Sequence, residues 1–324
     1  MSKQNQQCSK FKTMCGGQAL IEGIMMRGPK KQAVVVRKPD GELEVQEKEL
    51  RFIKDRYPAL GWPLIRGVVN FADSMYNGVT ALMFSAEFFP EDGEEEENPS
   101  QFETWLNDKL GSEKFTALIT TLAVILGVGM SIGLFFLLPT LLGGLVSVAF
   151  PGNMLARNLA ESLLKILIFV AYLALCSHMG EMKRVFSYHG AEHKTIFCYE
   201  AGLPLTVENV RVQPRHHPRC GTSFLFMVIA ISIVVSTVVF AIWPVYNVFL
   251  RFLTHLAVLP LIVGISYEIN RWAGRHDGPV TRFFIAPGLW LQNFTTFEPD
   301  DSMIEVGIRA LELVLPEKQG EDAW

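Results

Sequence analysis

Apolar residues in this chain fall into two patterns, short alternating runs and long unbroken ones. The unbroken stretches at residues 116–138, 159–179, 223–243 and 253–270 are each about long enough, as helices, to cross a hydrocarbon core of about 30 Å. They predict a mainly α membrane protein built on a bundle of about four transmembrane helices. Between the first two, "PTLLGGLVSVAFPGN" is apolar but interrupted by proline and glycine, which leaves a kinked extension of the first helix or an outer-interface segment open. Shorter runs at 33–37 and 42–45, joined by "KPDG", carry a β-hairpin signal in a small cytosolic N-terminal region. Residues 61–89 place Leu64, Val68, Phe71, Met75, Val79 and Leu82 near helical spacing, with Arg66, Asp73 and Asn77 interrupting. That pattern predicts an amphipathic helix at the membrane surface or against the bundle. In the tail, Ile304, Ile308, Leu311 and Leu315 form the stripe of a second amphipathic helix, which docks on the cytosolic domain, and Ser302 and Glu305 have capping-box spacing.

The chain therefore divides into an N-terminal region with a β hairpin (1–60), an amphipathic helix with an acidic linker (61–115), a first helix pair (116–179), a polar loop (180–222), a second helix pair (223–270) and a C-terminal region (271–324). A mean hydropathy of +0.24 over 324 residues agrees with a multi-pass membrane class and excludes one large soluble domain. The polar opening "MSKQNQQCSKFKTMC" has no apolar core of a signal peptide, so the N-terminus is expected in the cytosol. With that orientation, every Lys and Arg falls on the cytosolic side except Arg157, Lys165 and Arg251. A multi-pass membrane protein with both termini in the cytosol follows. The acidic "PEDGEEEENPS" reads as an exposed linker. Five scattered cysteines, Cys8, Cys15, Cys176, Cys198 and Cys220, argue against a disulfide framework and for a reducing compartment. A formal net charge of −4 gives no basic field for nucleic acid. The expected partner is the lipid bilayer, with a membrane-protein or lipid-linked substrate.

Candidate chemistry lies in the polar loop, in "YHGAEHKTIFCYEAG" at 188–202. On a helix, His189 and His193 are one turn apart on one face and Glu192 borders it. This is the H-x-x-E-H spacing of inverted zincins, in which two imidazoles bind zinc and the glutamate activates a water. Further ligands are sought on the same side of the membrane. "PRHHPRCGTS" offers His217 and Cys220, and Glu268 in "ISYEINRW" is a carboxylate at a depth that requires pairing or coordination. His189, His193, Glu268 and an open position would make a hydrolytic site with Glu192 as base. His189, His193, His217 and Cys220 would instead close a structural site; the sequence leaves both open. Cys198 is expected to pack, His255 to be a buried hydrogen-bonded histidine, and His276 to lie at the surface.

Five segments, "GGQALIEGIMMRGP", "YHGAEHKTIFCYEAG", "HPRCGTSF", "ISYEINRW" and "LQNFTTFEPDDSMIEVGIRAL", resemble the YqhQ-like family of bacterial multi-pass membrane proteins, from about residue 14 to about residue 315. The resemblance implies a bacterial plasma-membrane protein and a metal-dependent enzyme of no established reaction. In the first segment Glu22 and Arg27 are weighed as site residues, with a turn-forming role for its glycines favoured. In the last, Gln292, Thr295, Thr296 and Glu298 are read as lining a pocket or forming a turn. Three functions stand at this point: a membrane-embedded, zinc-type metal-dependent hydrolase, a non-catalytic scaffold or assembly factor held by a metal clip, and a transporter. The sparse charge in the membrane helices and the lack of an internal repeat weigh against the last.

Overall fold

The computed structural model describes residues 11–50, 56–89, 112–276, 278–317 and 320–323. The acidic stretch at 90–100 lies outside them. Contacts divide the chain into two compact units, one formed by residues 1–89, 170–235 and 258–324 and the other by 90–169 and 236–257.

The first unit opens with a four-stranded antiparallel sheet in sequence order, β1 (Gly16–Leu20), β2 (Gly23–Arg27), β3 (Lys31–Arg37) and β4 (Leu43–Glu49). The expected hairpin is β3–β4, with Arg37 opposite Leu43 and Lys38 N–H donating to Glu42 O at 2.9 Å. A hairpin precedes it. Gly16 and Gly17, expected in a turn, lie in β1 instead, and Glu22 turns the chain with φ +48°. Strand alternation sends Ile24, Met26, Ala33 and Val35 to one face and Met25, Val34 and Val36 to the other. Both faces are covered. The first packs on Tyr188, Ala191 and Ile196 of α5 (Gly180–Glu200) and on Met303, Val306 and Leu311 of α10 (Asp301–Glu312), while Ala81 and Phe84 of α1 (Ile65–Ala86) cover the second. The tail stripe thus docks on the sheet. Its N-cap is Asp300, which accepts the Met303 N–H at 3.0 Å, and not Ser302, which donates to Asp300 instead; Glu305 pairs with Arg37 at 2.7 Å.

Among the described residues four helices are long and apolar enough to cross a membrane: Thr121–Val146, Met154–His178 (α4), Gly221–Ile242 (α7) and Val248–Arg275 (α8). The first is longer than its apolar core predicts, because α2 (Ser112–Ile132) continues through a π turn at Gly133–Leu137 into α3 (Leu138–Ala149). Pro139 offers no N–H to the ladder, and the neighbouring Leu138 N–H reaches back to Gly133 O. "PTLLGGLVSVAF" therefore extends the first helix. The first unit also holds the short α6 (Val207–Arg211) and the 17-residue α9 (Pro279–Thr295), which leads the chain back to α5.

Candidate metal centre

The polar motif lies in α5, where residues 188 and 190–196 are buried in the first unit. Helical spacing brings the rings of His189 and His193 together, with centroids 4.3 Å apart. Each ring is oriented by a backbone carbonyl. His189 Nδ1 donates to Thr295 O at 2.8 Å and His193 Nδ1 donates to Arg215 O at 2.5 Å. That fixes the tautomers and presents the Nε2 lone pair of each ring toward the group, the arrangement in which histidines ligate metals.

Cys220, immediately before α7, completes the group. Its Sγ lies 3.1 Å from His189 Nε2, and the donor atoms of His189, His193 and Cys220 all fall within 4.8 Å of one another. His193 Nε2 is buried and has no hydrogen-bond partner. A buried ring nitrogen left unpaired is costly, and an ion held with His189 and Cys220 would satisfy it. Two imidazole nitrogens and one thiolate form a donor set suited to zinc. Burial pushes the His193 pKa down, which keeps the ring neutral as a ligand must be.

Glu192 borders the group. Its Oε2 lies 3.8 Å from His189 Nε2 and 4.0 Å from His193 Nε2, while Oε1 accepts the Gly17 N–H at 2.9 Å. Burial raises the Glu192 carboxyl above its ordinary value, with His189 and the Gly17 amide acting in the opposite sense. Access is one-sided: the His189 side chain is 16% exposed and that of His193 2%.

The other expected ligands take different places. His217 packs beside His193 with ring centroids 5.5 Å apart, but its Nε2 faces Glu200 Oε2 at 3.8 Å and its Nδ1 accepts the Arg219 N–H at 3.3 Å. Glu268 pairs with Arg66 of α1 through both oxygens and also accepts the Leu64 N–H, outside the three-donor group. The pairing that its depth demanded is thus supplied by a guanidinium. Glu22 pairs with Arg184 and accepts from the Tyr188 hydroxyl, and Arg27 pairs with Asp73, so neither joins the group. Cys198 packs with Val210 and Ile304, and His276 stacks on Trp272.

Gln292, read from the sequence as lining a pocket or forming a turn, is one of the supporting groups. Gln292 clamps the loop carrying Cys220: its Oε1 accepts His217 N–H and its Nε2 donates to His217 O, both at 2.8 Å. The chain after α9 then runs along α5, with Phe297 N–H donating to Phe186 O at 2.9 Å. Gly190 permits this approach, since a Cβ there would collide with Phe297 O. The glycine inside the H-x-x-E-H motif therefore marks the close approach of the Phe297 carbonyl to α5.

Residues 62–317 match the family described as "Protein of unknown function (DUF1385)". The chain is also 35% identical over 305 residues to a Bacillus subtilis (strain 168) protein called "Uncharacterized protein YqhQ", covering 93% of this chain and 92% of that one. No solved structure matches the chain.

Proposed function

This chain belongs to the DUF1385 family and is similar over nearly its whole length to an uncharacterized Bacillus subtilis protein, and on that premise we propose that it is an integral membrane protein with a zinc-type metal-dependent hydrolase site on its cytosolic face. The observation that carries the reading is the convergence of His189, His193 and Cys220, with Glu192 beside them and a buried His193 Nε2 lacking a partner. Three donors and a carboxylate are the composition of an open site; a structural site takes four ligands. The clip reading required His217 together with Cys220, and His217 is engaged by Glu200 and Arg219 instead.

When bound, a divalent ion would act as a Lewis acid and lower the pKa of a water molecule. His189, His193 and Cys220 would hold it, the carbonyls of Thr295 and Arg215 keeping both imidazoles in the ligating tautomer. Glu192 Oε2, whose carboxylate is fixed through Oε1 by Gly17, takes the proton from the attacking water and returns it to the leaving group. Its raised pKa suits that exchange. The partly exposed His189 edge is the side of substrate approach. Membrane helices in the same chain favour a lipid-linked or membrane-protein substrate, which reaches such a site by lateral diffusion.

Elemental analysis of detergent-purified protein tests this directly. About one zinc per chain is expected, lost in a His189→Ala, His193→Ala double variant and strongly reduced in Cys220→Ser. Glu192→Gln should keep the metal and lose hydrolysis of lipid-linked or membrane-peptide substrates. A wild type that takes up no metal after incubation with zinc would end the enzyme reading. Metal retention with full activity in Glu192→Gln would remove the assigned base.

A further inference from the structure

The three basic residues that break the one-sided distribution of Lys and Arg converge in the second unit. Glu161 lies at their centre, with Oε1 accepting from Arg157 Nε at 3.0 Å and Oε2 from Arg251 Nε at 2.9 Å. Arg251 also donates to Asn158 Oδ1, and its guanidinium lies 3.6 Å from the Phe240 ring centroid. Lys165, one helical turn beyond Glu161, approaches His255 Nδ1 at 3.5 Å, and the same nitrogen is 3.1 Å from Ser236 Oγ. Arg157, Glu161, Lys165, Arg251 and His255 are all buried.

The charges do not balance. Two guanidinium groups and an ammonium face one carboxylate, a formal excess of two positive charges, and one remains even with Lys165 deprotonated. Among the described residues Lys165 makes no ion pair. Arg157 is 2% exposed, yet its Nη2 has no hydrogen-bond partner. Uncompensated charge buried among membrane helices is expensive and marks a functional position. A purely structural cluster would close its own charge.

The small residues of α3 lie against the same groups. A Cβ at Gly143 would collide with the Glu161 side chain, and one at Gly144 would come within 3.9 Å of Arg157 Nη2. Gly143 thus permits the close approach of α3 to Glu161, and Gly144 lies beside the unpartnered guanidinium nitrogen.

We propose that this cluster binds a phosphate group, with Arg157 Nη2 and Lys165 Nζ as its donors and Glu161, held by Arg251, fixing the orientation of Arg157. Guanidinium and ammonium groups are the donors that recognise phosphate oxygens, the first through its planar edge and the second as a point charge. The phosphate can arrive as a free ion or as the headgroup of an anionic lipid. The proposal stands independently of the metal centre.

The test is equilibrium binding and thermal stabilisation of the full chain in a phosphate-free maltoside detergent, using inorganic phosphate and short-chain phosphatidic acid as probes. Chloride and the matching diacylglycerol are the comparators. Saturable binding of one probe per chain is expected, weakened about tenfold or more in Lys165→Gln and retained in Lys165→Arg. Binding of inorganic phosphate identifies a soluble ion as sufficient; binding of phosphatidic acid alone identifies the lipid headgroup. Lys165→Gln is the primary variant because it removes no ion pair, whereas Arg157→Gln takes one partner from Glu161. The proposal is overturned if neither probe binds saturably, or if affinity is unchanged in both variants.

Discussion

Gly190 sits where the carbonyl of Phe297 meets α5. A methyl group there would push the following strap away, and the Thr295 carbonyl that orients His189 would move with it. Gly190→Ala should cost about 1–3 kcal/mol by overpacking and, under the proposed function, lower zinc affinity about tenfold or more. Metal titration alongside thermal unfolding in detergent checks both. A variant that loses stability but binds zinc normally would separate the strap from the site. At this scale the sequence was legible where side chains form the candidate group. His189, His193 and Glu192 were readable from spacing, and Cys220 was among the candidates. The carbonyls of Thr295 and Arg215 and the Gly17 amide were not, because backbone groups have no residue signature. Glu268 shows the complementary difficulty. Its depth signalled a partner, and Arg66, visible as an interruption of an apolar stripe, was the partner that folding brought to it.

Elements were legible in proportion to how local their causes are. The β3–β4 hairpin and the α10 stripe follow from period and turn residues within a few positions, whereas β1 and β2 depend on being sandwiched between helices distant in sequence. The start of α10 is a case where cap geometry differs from pattern. Asp300, not Ser302, caps it, and Asp300→Ala should cost about 1 kcal/mol. Partial burial would raise the Asp300 carboxyl, but hydrogen bonds from Ser302 and the Met303 amide prevail and hold it below its usual value. Since the folded value is the lower one, the stabilisation is complete above the unfolded value of about 3.9 and disappears as pH falls through the folded one. Unfolding followed from pH 6 to pH 2 should show a shallower acid limb in Asp300→Asn, which keeps an acceptor but cannot titrate. An unaltered limb would assign the acid sensitivity to other carboxyls.

For the whole molecule, the four membrane-competent helices among the described residues separate a sheet near one end of the chain from a helix near the other, and that sheet and helix pack in one unit. The orientation expected from the Lys and Arg asymmetry puts the sheet and that helix on the cytosolic side. In a background lacking the native cysteines, Asp40→Cys at the hairpin tip should react with a membrane-impermeant maleimide only after the membrane is opened, whereas Asn153→Cys, between the first two spans, should react in intact cells. Labelling of both from the same side would contradict the orientation. Arg157, Lys165 and Arg251 were visible in the sequence as exceptions to that asymmetry, but their common carboxylate was not, because Arg251 lies 90 residues from Glu161.

The groups around the metal centre come from Gly17, α5, Cys220 and Thr295, positions spread over most of the chain. Synthesis proceeds from the N-terminus, so the histidines of α5 emerge well before Cys220 and before the strap that orients His189. The three-donor group and its orienting carbonyls are thus assembled only after α9 has been made and the chain that follows it has returned to α5. Under the proposed function, activity is coupled to the completion of biogenesis, since a chain stalled before that point carries the motif without the groups that complete it.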